Sequence, residues 1–197
     1  MKTNDILKTG GVIAYPTDTV YGLGADATNT KAISKVYEIK GRDFRKPLSI
    51  AVSSEKMLRK YARVGKQEAL LIKSLRRAKL FPGPTTLLLR KKNLPKILTN
   101  GSHIVGIRIP SSKTCLSIVK RFGKPITSTS ANPSGARCAK SDRSIARSIR
   151  SKVSLVIKGK CPHGKESTII EMSQAKIARK GARWKDVEKI LEYFSQG

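Results

Sequence analysis

Four stretches of this chain carry hydroxyl-bearing, small or cationic side chains where a segment that only had to fill a core would place apolar ones. Tyr15-Pro16-Thr17-Asp18-Thr19-Val20-Tyr21-Gly22-Leu23-Gly24 leaves an apolar run and enters a glycine-rich turn. Glycines let backbone N–H groups approach a ligand closely, and threonine hydroxyls can donate or accept. Lys40-Gly41-Arg42-Asp43-Phe44-Arg45-Lys46-Pro47-Leu48 sets two cations on either side of a glycine. Such a pair suits phosphate or carboxylate, and a guanidinium can grip either as a fork. Thr127-Ser128-Thr129-Ser130-Ala131-Asn132-Pro133-Ser134-Gly135 is a strand end running into a loop of hydroxyls and one amide. Glu166-Ser167-Thr168-Ile169-Ile170 leads a hydroxyl pair into a strand. Each stretch also has a plainer reading: a strand-to-loop corner, a solvated charged face, or a turn capped by Asn132.

Several chemistries lack their residues. His103 and His163 have no acid nearby in sequence to suggest a serine–histidine–acid triad. There is no Walker A sequence and no GxGxxG, which argues against P-loop and Rossmann chemistry. Cys115, Cys138 and Cys161 are odd in number and form no CxxC, so free thiols are expected. Cys161 and His163 alone would leave a tetrahedral metal site two ligands short.

Alternation of strand-length apolar runs with helix-period segments predicts an α/β or α+β domain that positions these stretches. Strands are expected over 11–16, 47–52, 85–90, 104–110, 125–129, 153–157, 168–172 and 175–179. Helices are expected over 29–40, 54–62, 66–79, 114–122, 142–150 and 184–194. Ligands of such sheets tend to bind outside strand ends. No linker divides the chain, so residues 1–197 are expected to form a single domain.

The net charge is +28, and no Asp or Glu occurs between Ala69 and Ser141. Such a field attracts RNA, nucleotides or anionic membrane, unless it only decorates a solvated surface. The longest apolar runs, near 12–15, 86–89 and 104–109, fall well short of the ~18–20 residues that cross a bilayer. The short segment before the first expected strand leaves no room for a signal peptide, so a cytoplasmic location and no membrane contact are expected.

Taken in order, the motifs resemble the YrdC family of L-threonylcarbamoyladenylate synthases. The matching segments are GGVIAYPTDTVYGLGADA, YEIKGRDFRKPLSI, FPGPTTLLL, VGIRIP, STSANPSG and ESTIIEM. The resemblance runs from about Thr9 to Gly181, and the length is similar to the family's short form. It implies one α/β domain around a twisted, mixed, parallel-rich sheet with a deep basic cavity. It implies a nucleotidyltransferase acting on L-threonine, bicarbonate and ATP. The threonine amine adds to carbon dioxide from bicarbonate, the carbamate attacks the α-phosphorus, and pyrophosphate leaves. Threonine would be held by Thr19, Arg108, Ser128 and Ser167. ATP would be held by Lys40, Arg42, Lys46, Ser130, Asn132 and Arg179, with Lys40, Arg42, Ser130 and Asn132 as the catalytic set. Mg²⁺ would ride mainly on the ATP phosphates, with Asp18 as the nearby carboxylate. A downstream threonylcarbamoyl-transferase complex would pass the product to tRNA, and the chain itself could bind tRNA weakly. Where some relatives have a histidine after the Pro-Leu pair, this chain reads Pro47-Leu48-Ser49-Ile50-Ala51, and Arg179-Lys180-Gly181 stands in place of Arg-Pro-Gly. The rival reading is a non-enzymatic RNA-binding or ribosome-maturation protein. Charge favours it, while 5% aromatics and the lack of an RRM or KH signature count against it.

Overall fold

The computed structural model describes residues 2–195, and side-chain caps written into the sequence mark where three of its helices start. Helix α1 spans Thr3–Lys8. In α2 (Thr30–Lys40) the Asn29 side chain accepts from the Ala32 N–H, and Gly41 ends the helix in the left-handed conformation. Ser54 accepts from the Met57 N–H to open α3 (Glu55–Tyr61), and Ser112 does the same from Cys115 for α5 (Lys113–Phe122). These are the side-chain acceptors that a helix's unpaired first N–H groups require. Helix α4 spans Lys66–Arg77, α6 Arg147–Arg150 and α7 Trp184–Ser195.

Two sheets lie among these helices. One has β1 (Ile13–Tyr15), β2 (Gly22–Gly24), β7 (Thr129–Ser130) and β8 (Leu155–Val156), in the order β7-β2-β1-β8. The other has β3 (Ile50–Ala51), β4 (Thr85–Arg90), β5 (Ile104–Arg108), β6 (Ile126–Thr127), β9 (Thr168–Glu171) and β10 (Lys176–Arg179), in the order β10-β9-β4-β5-β3-β6. The pairs β1–β8, β3–β5 and β4–β9 are parallel and the others antiparallel. The pairing is therefore mixed, as expected, but divided between two sheets and not rich in parallel pairs. Residue 128 alone separates β6 from β7, so the chain passes there from the larger sheet to the smaller.

Register sorts the six-stranded sheet into two faces. Ile170 pairs with Leu87, Leu87 with Ile107, Ile107 with Ile50 and Ile50 with Thr127. Leu87, Ile107, Ile50 and Ile170 belong to the larger core, with Leu89 and Val105. One residue along, Arg179 pairs with Ile169, Ile169 with Thr86, Ala51 with Arg108 and Ala51 with Ile126. Alternation puts this second row on the opposite face. Ser49, Ser128 and Ser167, each two residues from a member of it, share that face. There a smaller apolar cluster of Tyr15, Ala51, Cys115 and Ile126 packs beside the polar positions.

Several sequence expectations differ from the structure, among them the strand expected over 125–129, which divides into β6 and β7 in different sheets. Residues 3–8 form a helix where none was expected. Residues 22–24 form a strand, not a turn. A Cβ on Gly24 would lie 2.8 Å from the Tyr15 ring, so this glycine makes room for an aromatic side chain and not for a ligand. The helix expected over 142–150 breaks into a 3-10 turn, Asp142–Ser144, and the one-turn α6. The Ser144 hydroxyl accepts from the N–H groups of Lys140 and Ser141 at 3.0 Å, and such local side-chain bonds compete with helix propagation.

Candidate active site

A pocket of about 140 Å³ opens where the polar face of the larger sheet meets the loop between β1 and β2. Thr17, Thr19, Val20, Tyr21 and Gly22 come from that loop and the start of β2, Thr129 and Ser130 from β7. Ser49, Thr86, Arg108, Ser128, Ser167, Ile169 and Arg179 come from the polar face, and Arg42, Pro47 and Glu166 complete the lining. Chain segments far apart in sequence thus meet because their strand ends share one face.

Arg108 and Asp18 form the fixed end. Arg108 Nη2 donates to Asp18 Oδ1 at 2.7 Å, and Nη1 donates to Thr19 Oγ1 at 2.8 Å. Their side chains are 5% and 4% exposed, so the ion pair is desolvated and its geometry is held. Thr17 Oγ1 lies 2.9 Å from Thr19 Oγ1 and donates to the Val20 carbonyl at 2.7 Å. Arg108 Nε and Asp18 Oδ2 are buried and carry no hydrogen bond. Asp18 itself does not line the pocket. Its Oδ1 accepts from Arg108 Nη2, so its charge is matched within the protein.

Arg179 and Glu166 form the other end. Arg179 Nη1 lies 3.2 Å from Glu166 Oε2, and both side chains are 40% exposed. Arg179 Nη2 donates to the Ser167 carbonyl at 2.9 Å, and its Nε is buried without a partner. Ser167 Oγ lies 2.8 Å from Thr86 Oγ1, which ties the two ends together across β4 and β9. At ~4.8 Å per strand, Arg108 and Arg179 stand roughly 14 Å apart along one row of the sheet.

Of the sites expected from sequence, Thr19, Arg42, Arg108, Ser128, Ser130, Ser167 and Arg179 line this pocket. Lys40, Lys46 and Asn132 do not. Lys40 is only 3% exposed. Its Nζ donates to the Ser130 carbonyl, to the Asn132 carbonyl at 2.8 Å and to Asn132 Oδ1 at 3.4 Å. These use all three ammonium donors, so Lys40 braces the loop behind the pocket. Burial, with Arg42 nearby, lowers its pKa to about 8. Asn132 is likewise spent locally: its Nδ2 donates to the Pro133 carbonyl at 3.0 Å and to that of Ala136. Lys46 is exposed, and its carbonyl accepts from Arg42 Nε at 3.0 Å, so it shapes the Arg42 loop through its backbone.

Thr17, Ser49, Thr86, Thr129 and Glu166 line the pocket without having been singled out as site residues. For Thr86 a signal existed: it is a polar residue out of phase with Leu87 and Leu89, hence on the other face of its strand. Among the described residues no group of three or more His, Cys, Asp or Glu could hold a metal ion. All three cysteines are free, and burial pushes their thiols up, Cys161 to about 11 and Cys115 to about 12.

The chain is similar to several known proteins. The Sua5/YciO/YrdC family model, described as "Telomere recombination", matches residues 5–181. A putative threonylcarbamoyl-AMP synthase of Methanocaldococcus jannaschii is 41% identical over 172 residues, covering 85% of this chain and 77% of that protein. The threonylcarbamoyl-AMP synthase of Pyrococcus abyssi is 31% identical over 190 residues, and the match covers 94% of this chain but 55% of that protein. Among solved structures, P. abyssi Sua5 complexed with L-threonine superposes with a TM-score of 0.86 at 33% identity, covering 95% of this chain and 55% of that one. E. coli YciO gives 0.81 at 25% identity, covering 93% and 90%. On the extent of these matches, the chain belongs to the Sua5/YciO/YrdC family.

Proposed function

We propose that this chain is a threonylcarbamoyl-AMP synthase, joining L-threonine, bicarbonate and ATP into L-threonylcarbamoyladenylate with release of pyrophosphate. The observation that carries this reading is one pocket with two arginine stations on a single sheet row. One station is locked and buried, as recognition of an amino-acid carboxylate requires. The other is open and half-exposed, as entry of a polyphosphate requires. The names of the M. jannaschii and P. abyssi relatives and the threonine complex of P. abyssi Sua5 support the same substrates.

Arg108, fixed by Asp18, supplies the positive charge for the threonine carboxylate, with Thr19, Ser128 and Ser167 supplying hydroxyls. Val20, Pro47 and Ile169 are apolar side chains of the lining and offer a surface to the threonine methyl. Arg42, Ser130 and Arg179 receive the phosphates. The lining is rich in hydroxyls but holds no histidine or lysine to activate one as a base, so the reading calls on no covalent nucleophile. The carbamate made from the threonine amine attacks the α-phosphorus directly. The protein contributes orientation and charge stabilisation, the main terms in such transfers. The single lining carboxylate, Glu166, already engages Arg179, and Asp18 engages Arg108. This donor set does not fit a protein-held Mg²⁺, so the ion enters with the ATP phosphates as part of the substrate. The product passes to a transferase that modifies tRNA, and the reaction takes place in the cytosol. Among the described residues no helix is long and apolar enough to cross a membrane.

Pyrophosphate release that needs threonine and bicarbonate together, with labelled bicarbonate recovered in an adenylate product, is the expected outcome. Serine, one methyl smaller, should be used roughly 10- to 200-fold less efficiently. Pyrophosphate release indifferent to threonine would overturn the assignment.

A further inference from the structure

The backbone around Glu166 is clamped, while its side chain is partly exposed. Its carbonyl accepts from the Ala182 N–H at 2.7 Å, and Ser167 bridges to Ala182. A Cβ on Gly181 would fall 2.4 Å from the Glu166 carbonyl oxygen, so only glycine lets the end of β10 run this close. From that anchor the carboxylate, 40% exposed, reaches Arg179 at 3.2 Å. Its charge also acts on Arg42 and on Lys40. It is the one carboxylate in the pocket lining, and it sits among the cations that the proposed function gives to the nucleotide.

A phosphate oxygen at Arg179 and the Glu166 carboxylate need the same guanidinium edge. Arg179 Nη2 is committed to Ser167, and Nε is buried without a partner. We propose that Glu166 is a positioning residue for nucleotide binding, a displaceable counter-anion that orients Arg179 and is exchanged for a phosphate oxygen when ATP binds. The exchange keeps one anion against the arginine throughout, and no covalent bond is made or broken. This inference rests on the nucleotide reading given above. Its signature is opposite in sign to that of a residue that holds ATP or a metal ion: removing the carboxylate strengthens nucleotide binding.

The test is equilibrium binding of ATP and of adenosine to the full chain and to Glu166→Gln, with Glu166→Ala as a second variant. Glu188→Gln serves as a control, because it removes the same charge from an ion pair with Lys180 outside the pocket. Loss of a half-exposed competing ion pair should tighten ATP binding about two- to five-fold in both Glu166 variants. Adenosine, which has no phosphate, should bind all forms alike, and Glu188→Gln should bind ATP as the unaltered chain does. Equal or weaker ATP binding by the Glu166 variants, with ATP still bound by the unaltered chain, overturns the counter-anion role alone. A gain shared by Glu188→Gln also overturns it, since overall charge would then explain the effect. Failure of the unaltered chain to bind ATP removes the nucleotide reading and this proposal with it.

Discussion

Two arginines of the pocket lining, Arg108 and Arg179, are each paired with a carboxylate, and the pairs differ in burial. Asp18–Arg108 is about 95% buried, whereas Glu166–Arg179 is 40% exposed on both sides. Burial raises the Coulomb attraction and the desolvation cost together, so the first pair cannot part without leaving a bare charge in the interior. Water screens the second, which can part at little cost. Arginine–carboxylate pairing thus gives a fixed element at one end and an exchangeable one at the other, chiefly through burial.

The largest effect should come from breaking the buried pair. Asp18→Asn leaves Arg108 uncompensated and should cost about 3–5 kcal/mol. At about 2–4 °C per kcal/mol for a chain of this size, the melting temperature should fall by roughly 6–20 °C. Glu166→Gln should stay within ~0.5 kcal/mol of the unaltered protein. Equal losses in thermal or urea unfolding would erase the distinction between the pairs.

Removing Arg179 tests the open end in function. Arg179→Ala should lower kcat/KM for ATP roughly ten- to hundred-fold, the worth of a charged hydrogen bond of ~1.5–3 kcal/mol, and change unfolding little. Lys40 belongs with neither end. Lys40→Met removes the Nζ donor from the buried Asn132 carbonyl and Oδ1, while the Ser130 carbonyl keeps the Asn132 N–H, and should cost about 1–3 kcal/mol. Folding brings this lysine from 10.5 to about 8. Between those values the unfolded chain holds a proton that the folded chain does not. Stability contributed by this group therefore rises with pH from about 8 to 10.5 and is flat below 8. The difference between melting curves of the unaltered protein and Lys40→Met across that range should show the slope; a difference independent of pH would refute it.

The smallest effect should lie on the outer surface. Lys73, Arg77, Arg143 and Arg147 are exposed and outside the pocket. Changing all four to Gln should leave synthesis within about two- to three-fold. The same changes should weaken tRNA binding and flatten its dependence on salt, because exposed cations act on phosphates and not on bases. Synthesis that collapsed along with tRNA affinity would tie the charge to the reaction. Lys91, similar in sequence terms, is not of this kind: it is half-buried and its Nζ donates to Thr99 Oγ1 at 2.6 Å.

The contrast between the pairs could not be read from sequence. Asp18, Arg108, Glu166 and Arg179 all stood in noticed motifs, and most expected site residues do meet in the pocket. The order of motifs and the apolar periods carried the fold class and most helices. What was hidden depends on long-range pairing. That Arg108 lies beside Asp18 follows from β5 ending under the loop between β1 and β2, which no local pattern records. Lys40 looked like a ligand-binding cation because its partners, the carbonyls of Ser130 and Asn132, are about ninety positions away and are backbone atoms. The break at Ser144 was missed because side-chain competition for the backbone depends on three-dimensional closure of the turn.

The measurement that bears most directly on the account is the separate determination of KM for threonine and for ATP in Arg108→Lys and Arg179→Lys. Lysine keeps the charge but loses the fork, which is not a conservative change where a planar donor set is used. The account predicts that Arg108→Lys raises the KM for threonine about ten-fold or more with ATP nearly unchanged, and that Arg179→Lys does the reverse. Both variants raising the same constant, or the two effects exchanged, would contradict the division of the pocket into a threonine end and a phosphate end.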